Sequence, residues 1–133
     1  MTLVDTSAWV DFLRATSSRA TTYLRDHLGD PGLGTTEPVL MELLAGARAG
    51  AHTTRLERLL LSQSWYRVQP ALDYRGAVDI YQATRATGYS PRSLQDCLIA
   101  AVALRHDRAV AHRDVDFAYI AAATGMKMVD LRD

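Results

Sequence analysis

The sequence predicts an α/β fold in which helices flank a parallel sheet. Three observations lead to this prediction. Short apolar runs of strand length alternate with longer segments whose apolar residues recur at helical spacing. Glycine, proline and aspartate separate these segments. The 133 residues, 48% of them hydrophobic and 23% charged, suffice for one core, and we expect residues 1–133 to form a single domain.

The first half of the chain opens with a short apolar strand, Leu3-Val4, that leads into a helix over 8–13. Thr36 is suited to cap a later helix that has Glu37 and Pro38 in its first turn and contains Glu42. The segments predicted in this half are a strand at 3–4, helices at 8–13 and 18–28, a minimal strand at 33–35, and a helix from 37 that ends within 46–50.

The second half continues the same alternation. Gly88 and Gly125 each end a helical pattern, and Ser93 opens a strongly apolar one. The segments predicted in this half are helices at 53–61, 74–87, from 93 and at 117–123, and strands at 66–68, 109–111 and 126–129. Parallel sheets bind ligands beyond the carboxyl ends of their strands. Asp5 and Asp114 both follow a predicted strand.

Composition limits the classes of function. Fifteen basic residues balance fifteen acidic ones, so a nucleic-acid site would have to be a local patch. The single cysteine, Cys97, excludes an intramolecular disulfide and a multi-cysteine zinc site, and we expect it to be buried. No segment has the pattern of a secretory leader or a membrane span, so we expect a cytoplasmic protein that does not bind membranes.

Five acids are candidates for a site, and each also has a simpler structural explanation. Asp5 could cap the helix that follows it, and Glu42 could face solvent. Asp96 has the spacing of a capping box. Asp114 and Asp116 directly follow a buried strand, where turns are often rich in aspartate.

If these acids converge, their charges raise one another's pKa unless a cation neutralises them. Oxygen ligands select hard ions such as Mg²⁺ or Mn²⁺, which support phosphodiester cleavage by water without a protein nucleophile. Thr6 and Ser7 could assist with their hydroxyls, although helix capping is an equal alternative. His112 is expected to be a hydrogen-bonding partner rather than a ligand.

Four motifs follow one another along nearly the whole chain, and their order is more specific than any one of them. They are Val4-Asp5-Thr6-Ser7, Glu42-Leu43-Leu44-Ala45-Gly46-Ala47-Arg48, Asp96-Cys97-Leu98-Ile99-Ala100-Ala101 and His112-Arg113-Asp114-Val115-Asp116-Phe117. Together they resemble a PIN domain of the VapC type, the toxin half of VapBC toxin–antitoxin pairs. His112-Arg113 departs from the family pattern, in which many members have a small hydroxyl or amide residue.

The resemblance implies a three-layer α/β/α sandwich with a mainly parallel central sheet. It places Asp5, Glu42, Asp96 and Asp114 as catalytic acids around one or two Mg²⁺ or Mn²⁺ ions, with Asp116 as a fifth, less uniform metal ligand. Similar proteins are endoribonucleases that cut RNA, often tRNA or rRNA, and so inhibit translation. They form homodimers and hetero-oligomers with a VapB-type antitoxin, whose carboxyl-terminal segment occludes the cleft.

RNA must approach a cleft of repelling negative charge. Arg92 and Arg113 are therefore the predicted phosphate contacts. Trp9 and Trp65 could stack bases, but a place in the core or a dimer seam is favoured for both.

Three alternatives stay open at this point. A receiver-like phosphoacceptor domain also holds Mg²⁺ at strand ends, but it would show paired acids after the first strand and would leave Glu42 and Asp96 without a role. A haloacid-dehalogenase-like phosphatase would have a second aspartate where this chain has Ser7. A catalytically silent interaction module would keep the acids only as helix caps.

Overall fold

A computed structural model describes residues 2–47 and 51–133, and of residues 51 and 52 it describes only the backbone. Arg48, the last residue of the second motif, lies outside the described residues, as does part of the range in which the third helix was expected to end. Within them the strands are β1 Thr2–Val4, β2 Leu33–Thr35, β3 Ser64–Trp65, β4 Ala109–His112 and β5 Met128–Asp130. The helices are α1 Thr6–Leu13, α2 Arg19–His27, α3 Glu37–Gly46, α4 Ala51–Leu61, α5 Pro70–Ala86, α6 Leu94–Arg105 and α7 Val115–Thr124.

The described strands form one sheet in the order β3-β2-β1-β4-β5, and every neighbouring pair is parallel. This confirms the predicted α/β/α architecture. The sheet grows outward from β1 in one direction through β2 and β3, and in the other through β4 and β5. The strand order therefore reverses between β1 and β4, which is where parallel sheets open a crevice beyond their carboxyl ends.

The core is centred on β1 and α6. All three residues of β1 are buried, as are all residues of α6 from 97 to 103. A helix that is apolar on most of its circumference must be covered on several sides, and α5, α7 and β4 pack against α6. Cys97 is a buried free cysteine, as expected. Among the described residues, no helix combines the length and apolar character needed to cross a bilayer.

Two predicted segments differ from the structure by more than the two residues by which other ends are shifted. The third strand lies at Ser64–Trp65 rather than at 66–68, because its partner residues Gly34 and Thr35 set the register of this short edge strand. A Cβ atom on Gly34 would overlap the Ser64 carbonyl, so glycine is what permits this pairing.

The second difference is the start of α5, which begins at Pro70 instead of 74. The Gln69 side chain accepts a hydrogen bond from the Leu72 amide, and Pro70 fits the first turn. The Gln69 cap, and not the apolar periodicity, therefore sets the first residue of this helix. Apolar periodicity alone places the start of the helix too late.

A candidate metal centre at the switch point of the sheet

Asp5 lies directly after β1 and is the N-cap of α1. Its Oδ2 accepts hydrogen bonds from the Ser7 amide at 3.0 Å and from the Ser7 hydroxyl at 2.6 Å. Its Oδ1 is buried and has no hydrogen-bond partner among the residues that the structure describes. A buried carboxylate oxygen without a donor is costly unless a cation neutralises it. The capping explanation is thus correct for one oxygen, and the other points to a ligand.

Asp96, Asp114 and Asp116 form a compact acidic group. Each offers a carboxylate oxygen, and these atoms all lie within 4.8 Å of one another. Asp96 is in the first turn of α6, whose cap Ser93 accepts hydrogen bonds from the Gln95 and Asp96 amides. Asp114 caps α7 by accepting from the Asp116 amide at 3.0 Å. Asp116 is fully buried in the first turn of α7, and not in the loop where the sequence suggested it.

The pKa values show that the acids act on one another. Burial, followed by the charges of the other four acids of the set, raises the pKa of Asp96 from 3.8 to about 8. Burial also raises the pKa of Asp5 to about 6, with a further increase from Glu42 and an opposing effect from the Ser7 hydrogen bonds. The acids predicted from four separate motifs are therefore close enough to interact. Their mutual repulsion is the property that a bound cation would relieve.

Thr6 and Ser7 orient the acids. The Thr6 hydroxyl donates to Glu42 Oε1 at 2.7 Å, which joins α1 to α3. The Ser7 hydroxyl donates to Asp5 and accepts from the Arg113 amide at 2.9 Å, which joins α1 to the segment after β4. Both hydroxyls are hydrogen-bonded to protein groups, so they fix the positions of the Asp5 and Glu42 carboxylates.

The residues present fit a hard divalent cation. The donors are carboxylate oxygens, the ligands that Mg²⁺ and related ions prefer. One of them, Asp5 Oδ1, is buried without a partner, and three other acids converge within 4.8 Å. The described residues therefore include an acidic group able to hold a divalent metal ion.

Arg92 is held against this acidic group. Its Nη2 lies 2.7 Å from Asp114 Oδ1 and its Nε lies 3.3 Å from Asp116 Oδ1, while its backbone amide donates to Asp116 Oδ2 at 2.8 Å. The side chain is 67% exposed. Arg92 thus lies at the entrance to the site, at a place where a phosphate could reach it.

Arg113 has different surroundings from those expected. Its guanidinium pairs with Asp11 and Asp133, which are both outside the acidic cluster. Only its backbone amide, bonded to Ser7, contributes to the site. The contacts of Arg113 are those of a structural residue that joins α1 to the end of the chain.

His112 and Trp9 lie where they were expected, whereas Trp65 is only partly buried. His112 is fully buried in β4 and accepts a hydrogen bond from the Asp114 amide at 3.1 Å, so it supports the loop that presents Asp114. Trp9 is fully buried in the core. Trp65 is partly buried at the edge strand, with the Arg67 guanidinium 4.9 Å from its ring centroid.

Sequence reasoning missed Tyr89. Its hydroxyl donates to Asp116 Oδ1, and its ring stacks on Tyr119 with 3.7 Å between centroids. The only signal available was its place in the loop directly before the acidic first turn of α6. A tyrosine in a loop is too common for that signal to identify it.

Fold and site together define an α/β protein with an acid cluster at the switch point of a parallel sheet. The PIN domain family model matches residues 2–123. The chain is 42% identical over 134 aligned positions to Ribonuclease VapC11 of Mycobacterium tuberculosis (strain CDC 1551 / Oshkosh), covering 99% of this chain and 100% of that protein. The chain therefore belongs to the PIN domain family.

Solved structures share the fold. A toxin–antitoxin complex from Klebsiella pneumoniae superposes with a TM-score of 0.77 at 21% identity, covering 100% of this chain and 99% of that one. DNA-bound VapBC from Salmonella typhimurium superposes with a TM-score of 0.72 at 15% identity, covering 98% and 97%. At these identities the likeness concerns the fold.

Proposed function

We propose that this chain is a Mg²⁺- or Mn²⁺-dependent endoribonuclease that acts as the toxin of a toxin–antitoxin pair, with residues 1–133 forming a single PIN domain. The observation that carries the proposal is the convergence of acids from four separate motifs at the switch point of the sheet. The relationship to Ribonuclease VapC11 supports the same activity. The substrate is cellular RNA, for which we favour tRNA or rRNA, and cutting it inhibits translation. Its place of action is then the cytoplasm.

We assign the metal ligands from the geometry of the acids. Asp5 would contribute its unpartnered Oδ1, with Asp96 and Asp114 completing the first set of ligands for one or two ions. Glu42, oriented by Thr6, lies on the Asp5 side of the cluster. Each oxygen of Asp116 already accepts a hydrogen bond from Tyr89 or Arg92. These bonds hold Asp116 in place and leave a lone pair on Oδ2, so Asp116 stays the proposed fifth metal ligand.

A bound divalent cation supplies neutralising charge for the phosphodiester and acidifies an attacking water. The chain's own residues prepare the place where this happens. Ser7 and Thr6 fix the carboxylates of Asp5 and Glu42, and the Ser93 cap fixes the turn that presents Asp96. Arg92 supplies positive charge at the entrance, which offsets the repulsion between RNA and the acids.

The partner we propose is a VapB-type antitoxin, within a hetero-oligomer that contains a homodimer of this chain. A groove of about 560 Å³ lies between α1, α3 and α4. Its lining residues are mostly apolar and include Val10, Leu13, Leu43 and Leu56, with Glu42 of the acid cluster on its wall. An apolar segment that fills this groove would reach the cluster directly, as neutralisation by occlusion requires.

The test is cleavage of a cellular RNA mixture by the purified protein with Mg²⁺, Mn²⁺ or EDTA. We expect Asp5→Asn and Asp96→Asn to abolish cleavage, and EDTA to do the same for the unaltered protein. Asp79→Asn, an exposed acid on α5 paired with Arg75, is the matched control and should cut normally. Full activity in either cluster variant would refute the assignment.

The alternatives give different results in the same assay. A receiver-like domain would take a phosphoryl group from acetyl phosphate onto Asp5 and leave RNA intact. A silent interaction module would do neither. If cleavage occurs, sequencing the new 5′ ends of RNA from cells that express the protein identifies the target and the position of the cut.

A further inference from the structure

Tyr89 and Tyr119 form a stacked aromatic pair beside the acid cluster. Their ring centroids are 3.7 Å apart and the ring planes differ by 4°. Aromatic pairs prefer offset or edge-to-face arrangements, so ring packing alone does not favour this face-to-face geometry. The hydrogen bond from the Tyr89 hydroxyl to Asp116 fixes the inner ring instead. The outer ring, Tyr119, is 43% exposed, so part of its surface is accessible to a third ring.

The pair is continuous with the proposed catalytic site. Asp116, which accepts the Tyr89 hydrogen bond, is one of the three acids whose oxygens lie within 4.8 Å of one another. A planar group stacked on Tyr119 would therefore lie one ring away from Tyr89, whose hydroxyl contacts the cluster. This separation suits a nucleobase next to the phosphate at which the chain is cut.

One exposed arginine lies near the pair. Arg92 is 67% exposed and contacts the same Asp116 that Tyr89 contacts. Guanidinium groups interleaved with aromatic rings are the usual composition of surfaces that bind single-stranded nucleic acid.

We propose that Tyr119, supported by Tyr89, is a base-stacking subsite that takes an unpaired nucleobase adjacent to the bond being cut, with Arg92 facing a flanking phosphate. This inference rests on the proposed ribonuclease function and names a residue that would position the substrate. A base inside a helix is stacked on both faces, so a platform of this kind selects single strands, loops or bulges.

The experiment measures binding of a single-stranded RNA of about 12 nucleotides, a length within the usual site sizes of single-strand binders. 2-Aminopurine replaces one adenine at a time along this RNA, and its fluorescence falls when it stacks on a ring. The protein is the full chain with Asp96→Asn, which prevents cleavage during the measurement. Tyr119→Ala and Tyr119→Leu remove the ring, and Tyr119→Phe and Tyr119→Trp keep it.

We expect one register of 2-aminopurine to be quenched on binding. Tyr119→Ala and Tyr119→Leu should abolish this quenching and weaken binding about 5- to 100-fold, and Tyr119→Phe and Tyr119→Trp should preserve both. Tyr74→Ala is the matched control, because Tyr74 is also an exposed tyrosine, 60% exposed on α5. It lies about 18 Å along the helix axis from Ala86, the last residue of α5 and the one nearest to Tyr89 in the sequence. It should leave binding and quenching unchanged.

Three results separate this proposal from the proposed function. If the unaltered protein cuts RNA and Tyr119→Ala binds and cuts it equally well, the stacking subsite is overturned and the ribonuclease function stands. If the quenching depends on the Tyr119 ring but no metal supports cleavage, the subsite stands and the ribonuclease function fails. If Tyr119→Ala changes only the oligomeric state measured by light scattering, Tyr119 is a protein contact and the subsite is overturned.

Discussion

The Tyr89 hydroxyl donates a hydrogen bond to the fully buried carboxylate of Asp116, and so joins the loop before α6 to the first turn of α7. The same carboxylate accepts from the backbone amide and Nε of Arg92. Asp116 thereby fixes the loop that precedes Asp96. The hydrogen bond to this anion also raises the pKa of Tyr89 above 10, because an ionised tyrosine could not donate it.

Tyr89→Phe tests this relationship. It removes the donor and keeps the ring, so we expect lower stability and a less ordered loop at 89–92. Tyr119→Phe is the matched control, because it removes a hydroxyl from the other ring of the same stack. Urea unfolding should give a lower midpoint for Tyr89→Phe than for Tyr119→Phe. Equal midpoints would show that the Asp116 contact contributes nothing to the fold.

The stability of the metal-free protein should fall as the pH rises from about 6.5 to 8. Asp96 has a pKa of about 8 in the folded state against 3.8 for the free side chain, so the folded state holds a proton that the unfolded chain has released. Burial lowers the pKa of His112 below 6.5 in the folded state. Below pH 6.5 the unfolded chain therefore holds more protons at this residue, and stability rises with pH. The predicted fall in stability is for this reason measured only above about pH 6.5. One coupled proton corresponds to at most about 1.4 kcal/mol per pH unit.

Urea unfolding in EDTA across this pH window makes the measurement. Asp96→Asn should flatten the slope and be at least as stable as the unaltered protein at pH 8, because it removes a repelling charge. Added Mg²⁺ or Mn²⁺ should also flatten the slope, since a cation replaces the proton. A slope that persists in Asp96→Asn would show that another group is responsible.

Arg92→Gln and Arg113→Gln should affect different properties of the protein. Arg92 is exposed beside the acids, so its loss should weaken RNA binding and reduce the slope of log affinity against log salt by about 1. Arg113 pairs with Asp11 and Asp133, so its loss should lower stability and leave RNA binding unchanged. Salt titrations of RNA binding and urea unfolding separate the two roles. Weaker RNA binding by Arg113→Gln would instead support the original prediction for this residue.

Asp73→Asn should destabilise the fold without affecting nuclease activity. Asp73 is 2% exposed and accepts from Arg105 Nε at 2.8 Å and from Nη2 at 2.9 Å, which joins α5 to α6. Loss of one partner of such a pair costs about 2 kcal/mol when the arginine keeps some contact with water. Asp79→Asn breaks an exposed pair on the same helix and should change stability by less than about 0.5 kcal/mol. Chemical unfolding together with a cleavage assay checks both variants.

Much of the fold and site could be predicted because the relevant signals are local. Asp5 and Asp114 were placed at strand ends from the apolar runs before them, and Asp96 was placed in a first turn from its spacing to Ser93. The capping explanation and the site explanation for Asp5 and Asp114 turned out to be compatible. A carboxylate has two oxygens, and in Asp5 one caps the helix while the other has no donor.

The contacts that local patterns could not reveal are those of long side chains. Arg92 precedes Asp96 by four residues and Arg113 directly precedes Asp114, yet Arg92 pairs with Asp114 and Asp116 while Arg113 pairs with Asp11 and Asp133. The choice depends on which acids the packing of α1 and α7 brings within reach. No spacing rule encodes it.

The sequence by itself determined where Asp5, Asp96 and Asp114 lie at the ends of strands and helices, because apolar periodicity and capping chemistry act over a few residues. The tertiary structure decided which groups surround them: the strand order that sets β1 beside β4, the register that moved β3, and the tyrosine that meets Asp116. Those outcomes depend on contacts between residues far apart in the chain, and such contacts are fixed only when the whole core packs.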